Sequence, residues 1–266
     1  MDVTGVLWGL CTNDSRAAAA LAVPFLIPLA TDAHHPHRAA ALGALPGPAR
    51  ARHFGVASRE ELLLHRTDPA RHAPDGVDDY GYEVTAYPAG WSVAAARTAI
   101  TANTPALLLL LDDLDPAVRV DAAYALAVVA DHDHVVRTAL IGRCKAEHDP
   151  IARAAFALAN AEITRAHPHT PIVAWLRERW QDHAEAPEVR LAAAMGWLCL
   201  TDSPAPDELR RTVDALADAE RAHAMEALPW MGAASGTNEP GLLRCKRSML
   251  HPDEPDPETI FWDSLF

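Results

Sequence analysis

Histidine recurs in the pattern His-x-His at His35/His37, His132/His134 and His167/His169, each time beside an expected helix end. Two imidazoles with a carboxylate such as Asp131 or Asp133 are donor types that suit zinc and related metals. A metal site needs three or four converging groups, and residues two apart in a turn do not converge by spacing alone. The turn reading is therefore preferred, with His132 and His134 kept as metal-ligand candidates and no cofactor expected. Leu111-Asp112-Asp113-Leu114-Asp115 places three carboxylates in five residues, which invites comparison with metal-diphosphate motifs. It stands just before Pro116, where carboxylates favour the positive end of a helix, and capping accounts for it.

A second group of residues points to recognition. The stretch Asp78-Asp79-Tyr80-Gly-Tyr82-Glu83-Val-Thr-Ala-Tyr87 carries three of the four tyrosines, and Trp91 follows. Tyrosine and tryptophan offer large contact area at small entropic cost, so Tyr80, Tyr82, Tyr87 and Trp91 are binding candidates, joined by Tyr124. The alternative is that they pin a long insertion onto neighbouring helices. For an enzymatic reading, Asp79, Glu83, Asp121 and Tyr124 are the acid/base candidates, with the 66–91 loop as a lid. No nucleophile, base and orienting group stand at a spacing that specifies a reaction.

The elements that must hold these groups are written in a recurring phrase: Pro116-Ala-Val-Arg119, Pro150-Ile-Ala-Arg153 and Pro187-Glu-Val-Arg190, each leading into an alanine-rich run. Positions 116, 150 and 187 differ by 34 and 37 residues. That period, without strand-like alternation, is what stacked helix couples leave in a sequence. The expected pairs are 104–111 with 116–129, 135–147 with 150–165 and 171–183 with 187–200. Proline suits the first helical position, and Asp115, Asp149, Thr170 and Asp207 are expected caps. Degenerate couples are expected over 15–45 and 205–228. Arg119, Arg153 and Arg190, echoed by Arg38 and Arg221, form a ladder. It reads either as an anion-binding stripe or as a set of ion pairs to turn carboxylates, and bidentate geometry favours the pairs.

The phrase from Asp115 to Leu126 resembles the short bacterial HEAT-like repeats, well over 104–200 and loosely over 15–45 and 205–228. The resemblance implies an all-α, right-handed α-solenoid whose second helices line a concave surface, and it implies no activity. Some HEAT-like enzymes hold di-iron on His-Glu dipeptides; none occurs here. The expected organisation is one solenoid over 1–230, interrupted by an insertion at about 46–90, and a partly irregular tail over 231–266. A short capped helix is expected at Ser58–His65.

Composition bounds the partners. The chain has 266 residues, half of them hydrophobic, and a formal charge of −13, which repels phosphate and argues against nucleic acid. Lys145 and Lys246 are the only lysines, and arginine supplies the other cations. Cys11, Cys144, Cys199 and Cys245 form no C-x-x-C pair, which fits reduced thiols in a cytoplasm. The apolar stretch 17–30 is too short to span a bilayer and contains Pro24 and Pro28, so no membrane association is expected. The reading that follows is a cytoplasmic binding or scaffold protein with a protein partner. The alternative is an enzyme of a biosynthetic or processing pathway holding a small molecule in its groove.

Overall fold

A computed structural model describes residues 16–50, 57–63, 90–129, 133–166 and 168–254. All regular structure among them is helical: α1 (Arg16–Thr31), α2 (Arg38–Ala44), α3 (Trp91–Ala102), α4 (Thr104–Leu109), a 3-10 turn (Leu110–Asp112), α5 (Pro116–Ala127), α6 (Asp133–Ala146), α7 (Pro150–Ala166), α8 (Thr170–Gln181), α9 (Pro187–Leu200), α10 (Asp207–Leu216), α11 (Ala219–Met225), α12 (Pro229–Ala234) and α13 (Gly241–Leu250). No single described helix is long and apolar enough to cross a membrane.

Prolines and carboxylates set the helix starts. Asp115 accepts from the Ala117 amide at 2.9 Å, and Asp149 from the Ala152 amide at 2.8 Å, as a capped proline start requires. Thr170 and Asp207 do not cap: each is the first residue of its helix, behind His169 and Pro206, which make no side-chain cap bond. Asp218 caps α11 through the Arg221 amide at 2.8 Å. The first helix of the second couple is longer than expected and broken, because Pro105 removes an amide and crowds the preceding turn. α3 and the α4 segment therefore meet at Asn103 with a bend of 64°. The short helix expected at 58–65 is, over the described residues 57–63, a turn in which the Glu61 and Leu62 amides donate to the Ser58 carbonyl. Leu62 and Leu63 are buried there, so packing prevails over the local capping signal.

The chain divides into two compact units, one of residues 1–53 and 66–143, the other of 54–65 and 144–266. In unit 1, α1 packs on α2 and α3, and α2 on α5. In unit 2, α9 packs on α7, α8 and α10, α8 on α10, and α13 on α10, α11 and α12. Within the units α1 thus meets α3 and α8 meets α10, α2 meets α5 and α7 meets α9, while α9 also meets α10. Alanine makes this close approach feasible: Ala154, Ala155, Ala157, Ala159 and Ala161 on α7 and Ala192, Ala193 and Ala194 on α9 are fully buried. A Cβ added at Gly196 of α9 would lie 2.9 Å from the Ala161 Cβ. Around this seam Trp180 and Trp197 pack edge to face with centroids 6.3 Å apart.

Residues 229–234 form α12 and 241–250, within the partly irregular tail expected over 231–266, form α13, with Trp230, Met231, Leu242 and Cys245 fully or almost fully buried. The Trp230 Nε1–H donates to Glu162 Oε2 of α7 at 2.6 Å, which satisfies a carboxylate that is itself only 2% exposed.

Helix α1 is two-faced. Val23, Leu26, Ile27 and Ala30 are buried, whereas Leu21, Pro24, Phe25, Pro28 and Leu29 are exposed, Phe25 by 76%. Leu26→Ala is expected to cost about 2–3 kcal/mol in denaturant unfolding, and Phe25→Ser no more than about 0.5 kcal/mol, although the two are chain neighbours. A larger loss for Phe25→Ser than for Leu26→Ala would show that α1 is packed the other way round.

Candidate functional site

On α5 every residue from Val118 to Val129 is buried except Asp121 and Tyr124. Three positions apart, they share one helix face and form its accessible stripe. α2 packs against this helix, and a Cβ at Gly43 would approach Asp121 Oδ2 to 3.7 Å, so glycine leaves room beside the carboxyl. After α2 the chain turns through Pro46-Gly47-Pro48, with the Ala49 amide donating to the Pro46 carbonyl and the Arg50 amide to the Gly47 carbonyl. Arg97 Nε–H of α3 holds that turn by donating to the Ala49 carbonyl at 2.9 Å. The turn delivers Arg50 onto the Tyr124 ring, with Cζ 3.7 Å from the centroid and Arg50 only 5% exposed. A cation over a phenol in so dry a setting contributes about 2 kcal/mol and fixes the ring.

Burial pushes the Asp121 carboxyl up to about 6, with the charge of Asp115 adding in the same direction. The unfolded chain loses this proton near the ordinary carboxylate value of about 4, the folded chain near 6, so ionisation in that window favours unfolding. The contribution of Asp121 to stability is most favourable below the unfolded value, declines as pH rises through 6, and is flat above. Asp121→Asn is expected to raise stability at pH 8 by about 2 kcal/mol and to remove the decline between pH 4 and 6, as read by thermal unfolding across pH.

The arginine ladder is consumed by the turns. Arg119 donates to the Asp113 and Leu114 carbonyls, Arg190 to the Trp180 carbonyl at 3.2 Å, with His183 Nδ1 at 3.3 Å from its guanidinium. Arg38 pairs with Asp113 at 2.5 Å, Arg153 with Glu185 at 2.6 Å, and Arg221 with Glu188 at 3.1 Å and Asp218 at 2.7 Å. The three carboxylates of 111–115 are likewise engaged: Asp112 with Arg143, Asp113 with Arg38, and Asp115 as a cap. Burial raises the Asp113 carboxyl, but bonds from Arg38 and the Asp115 amide, with the charges of Arg38 and Arg119, hold it below its ordinary value. Several ladder bonds run to backbone carbonyls rather than carboxylates, which residue types alone do not foretell.

Asp79, Tyr80, Tyr82, Glu83, Tyr87 and His132 lie outside the described residues. Trp91, expected in the 66–91 loop, opens helix α3 and is half-buried, behind Gly90 in the left-handed region at φ +79°. His134 is exposed near the start of α6. His35 is used within its turn, its Nδ1 accepting from the His37 amide at 3.2 Å. Among the described residues no cluster of three or more His, Cys, Asp or Glu could hold a metal. The sequence reading brought forward Asp121 and Tyr124 but missed Arg50, whose signal was a Pro-Gly-Pro turn ending two residues upstream.

No family model, curated protein or solved structure matches this chain.

Proposed function

We propose that the protein is a right-handed α-solenoid of HEAT-like helix couples that binds a protein partner through its second-helix face, with the 66–91 segment contributing. Supporting the solenoid reading, second helices pack on second helices within each unit, α2 on α5 in unit 1 and α7 on α9 in unit 2, and first helices pack on first helices, α1 on α3 and α8 on α10. The available face is narrower than sequence suggests. Every residue from Ala154 to Thr164 and from Val189 to Cys199 is buried, and Trp230 of α12 sits on α7. On α5 the accessible stripe is Asp121 and Tyr124.

The observation that carries this reading is Tyr124 held under Arg50. Arginine and tyrosine dominate interface hot spots, and a ring already immobilised loses little entropy on binding. The test compares partner capture by the wild-type chain with Tyr124→Leu and Arg50→Met variants of unchanged helicity. Loss of a reproducible partner in both supports the assignment; undiminished capture by both defeats it. A second reading, an acid/base enzyme, is favoured by one observation, the Asp121 carboxyl that keeps its proton to about pH 6 beside a phenol. A turnover whose pH profile bends near 6 and is lost in Asp121→Asn would select it.

A further inference from the structure

The arginine register closes on carboxylates at Arg38, Arg153 and Arg221, and Arg190 is left over. Glu185 and Glu188, the carboxylates nearest to it in the chain, are taken by Arg153 and Arg221. The Arg190 guanidinium instead meets neutral acceptors, Nε–H donating to the Trp180 carbonyl at 3.2 Å and Nη2–H to His183 Nδ1 at 3.3 Å. Its Nη1 donates to none of the described residues, and no described carboxylate pairs with it. Arg190 is nonetheless only 8% exposed. A cation held that far from water without a counter-charge costs free energy that an anion offsets.

Arg190 lines an open groove of about 470 Å³ between the turn ahead of α9 and one face of α10. From α10 come Glu208, Arg211, Thr212 and Leu216, spaced as a single helix face requires. Arg211 spends only its Nε–H, on the Asp207 carbonyl at 3.3 Å, and pairs with no described carboxylate. Because an arginine donates at every nitrogen, His183 Nδ1 accepts, and the ring proton sits on Nε2 as a further donor. Glu208 is the acid on this wall, and Gln181 already donates to its Oε2 at 3.2 Å.

We propose that this groove binds the phosphoryl group of a small phosphate monoester, with the apolar part of the ester against Leu216. Arg190 Nη1–H, the Arg211 guanidinium, the Thr212 hydroxyl and His183 Nε2–H outnumber what the two oxygens of a carboxylate use. They suit the three terminal oxygens of a phosphoryl group, which arginine holds bidentately. The volume falls within the range of small-molecule sites, about 300–1,000 Å³. The net charge of −13 disfavours a polyanion. Screening limits that repulsion to about 10 Å, so a single phosphoryl group is decided by its contacts. This site lies within unit 2 and does not depend on the Asp121–Tyr124 reading.

The test titrates the full chain with phenyl phosphate, with inorganic phosphate and benzoate as comparison probes, by calorimetry and by methyl NMR. Saturable phenyl phosphate binding is expected, moving the Thr212 and Leu216 methyl signals, about tenfold tighter than benzoate and tighter than inorganic phosphate. Arg211→Gln and Arg190→Met should each weaken it about fivefold or more, and Glu208→Gln should tighten it by removing the opposing charge. Absence of saturable binding, shifts confined to other methyl groups, or affinity unchanged in Arg211→Gln overturns the assignment, as does unchanged or weaker binding in Glu208→Gln. Benzoate binding as tightly as phenyl phosphate overturns the phosphoryl class, and inorganic phosphate binding as tightly overturns the apolar contact. The methyl shifts are read on the wild-type protein and Arg211 is exposed, so an Arg190→Met variant that fails to fold does not remove the test.

Discussion

Gly241→Ala is expected to destabilise the protein by about 3 kcal/mol or more, an unusual loss for one methyl group. The added Cβ would lie 1.8 Å from the Met231 carbonyl oxygen and 2.7 Å from its carbon, both backbone atoms, which cannot swing away as a side chain can. Gly241 opens α13, its amide donates to Ser235 Oγ at 2.9 Å, and the helix it begins buries Leu242, Cys245, Met249 and Leu250. Only glycine lets α13 approach α12 this closely. The matched control is Gly142→Ala in α6, where a Cβ meets nothing within 4 Å. There the same substitution is expected to stabilise by about 0.5–1 kcal/mol, because alanine orders in a helix at lower entropic cost. Urea unfolding of the two variants beside the parent checks both signs. A loss below about 1 kcal/mol at position 241 would mean that α12 and α13 do not pack as described.

Glu185→Ala is expected to cost about 2 kcal/mol, less than removal of one partner from a fully buried pair, because the arginines it leaves are 27% and 31% exposed and regain water. Glu185 is 8% exposed and lies in the turn ahead of α9. Its Oε2 receives Arg153 of α7 at 2.6 Å and Arg179 of α8 at 3.5 Å, while Oε1 accepts from the Ala186 amide at 2.9 Å. Alanine would leave two half-buried cations and a helix-start amide without this acceptor. Glu185→Gln retains hydrogen-bonding capacity and loses the charge, so its loss is expected to be about half as large. If alanine and glutamine were equally mild, at less than about 1 kcal/mol, the pair would behave as an exposed surface bridge.

The ladder shows how far residue types carry. Arginine in the ladder, with acidic turns nearby, pointed to pairing with carboxylates, and this holds for Arg153, three places after its proline, and for the weaker echoes Arg38 and Arg221. It did not foretell that Arg119 and Arg190 would turn to carbonyls instead, because Ala186 stands in the last couple where the others have aspartate, and because carbonyl positions follow from turn geometry. The helix starts at Pro116, Pro150 and Pro187 were legible for the same local reason. The break at Asn103, the turn at Ser58 and the helices after Pro229 were not, since each reflects how a segment packs rather than what it prefers alone.

What the sequence determined by itself was therefore local and periodic: helical class, repeat spacing, proline-opened helices, aspartate caps and the arginine register. These depend on residues within a few positions of each other, where backbone sterics and capping act. What only the tertiary structure decided was convergence. Arg50 lands on Tyr124 and Trp230 on Glu162, because segments distant in sequence are brought side by side by burial. Burial is non-directional and selects neighbours by shape and area, so the partners of a given side chain are written in the packing and not in the spacing of its own segment.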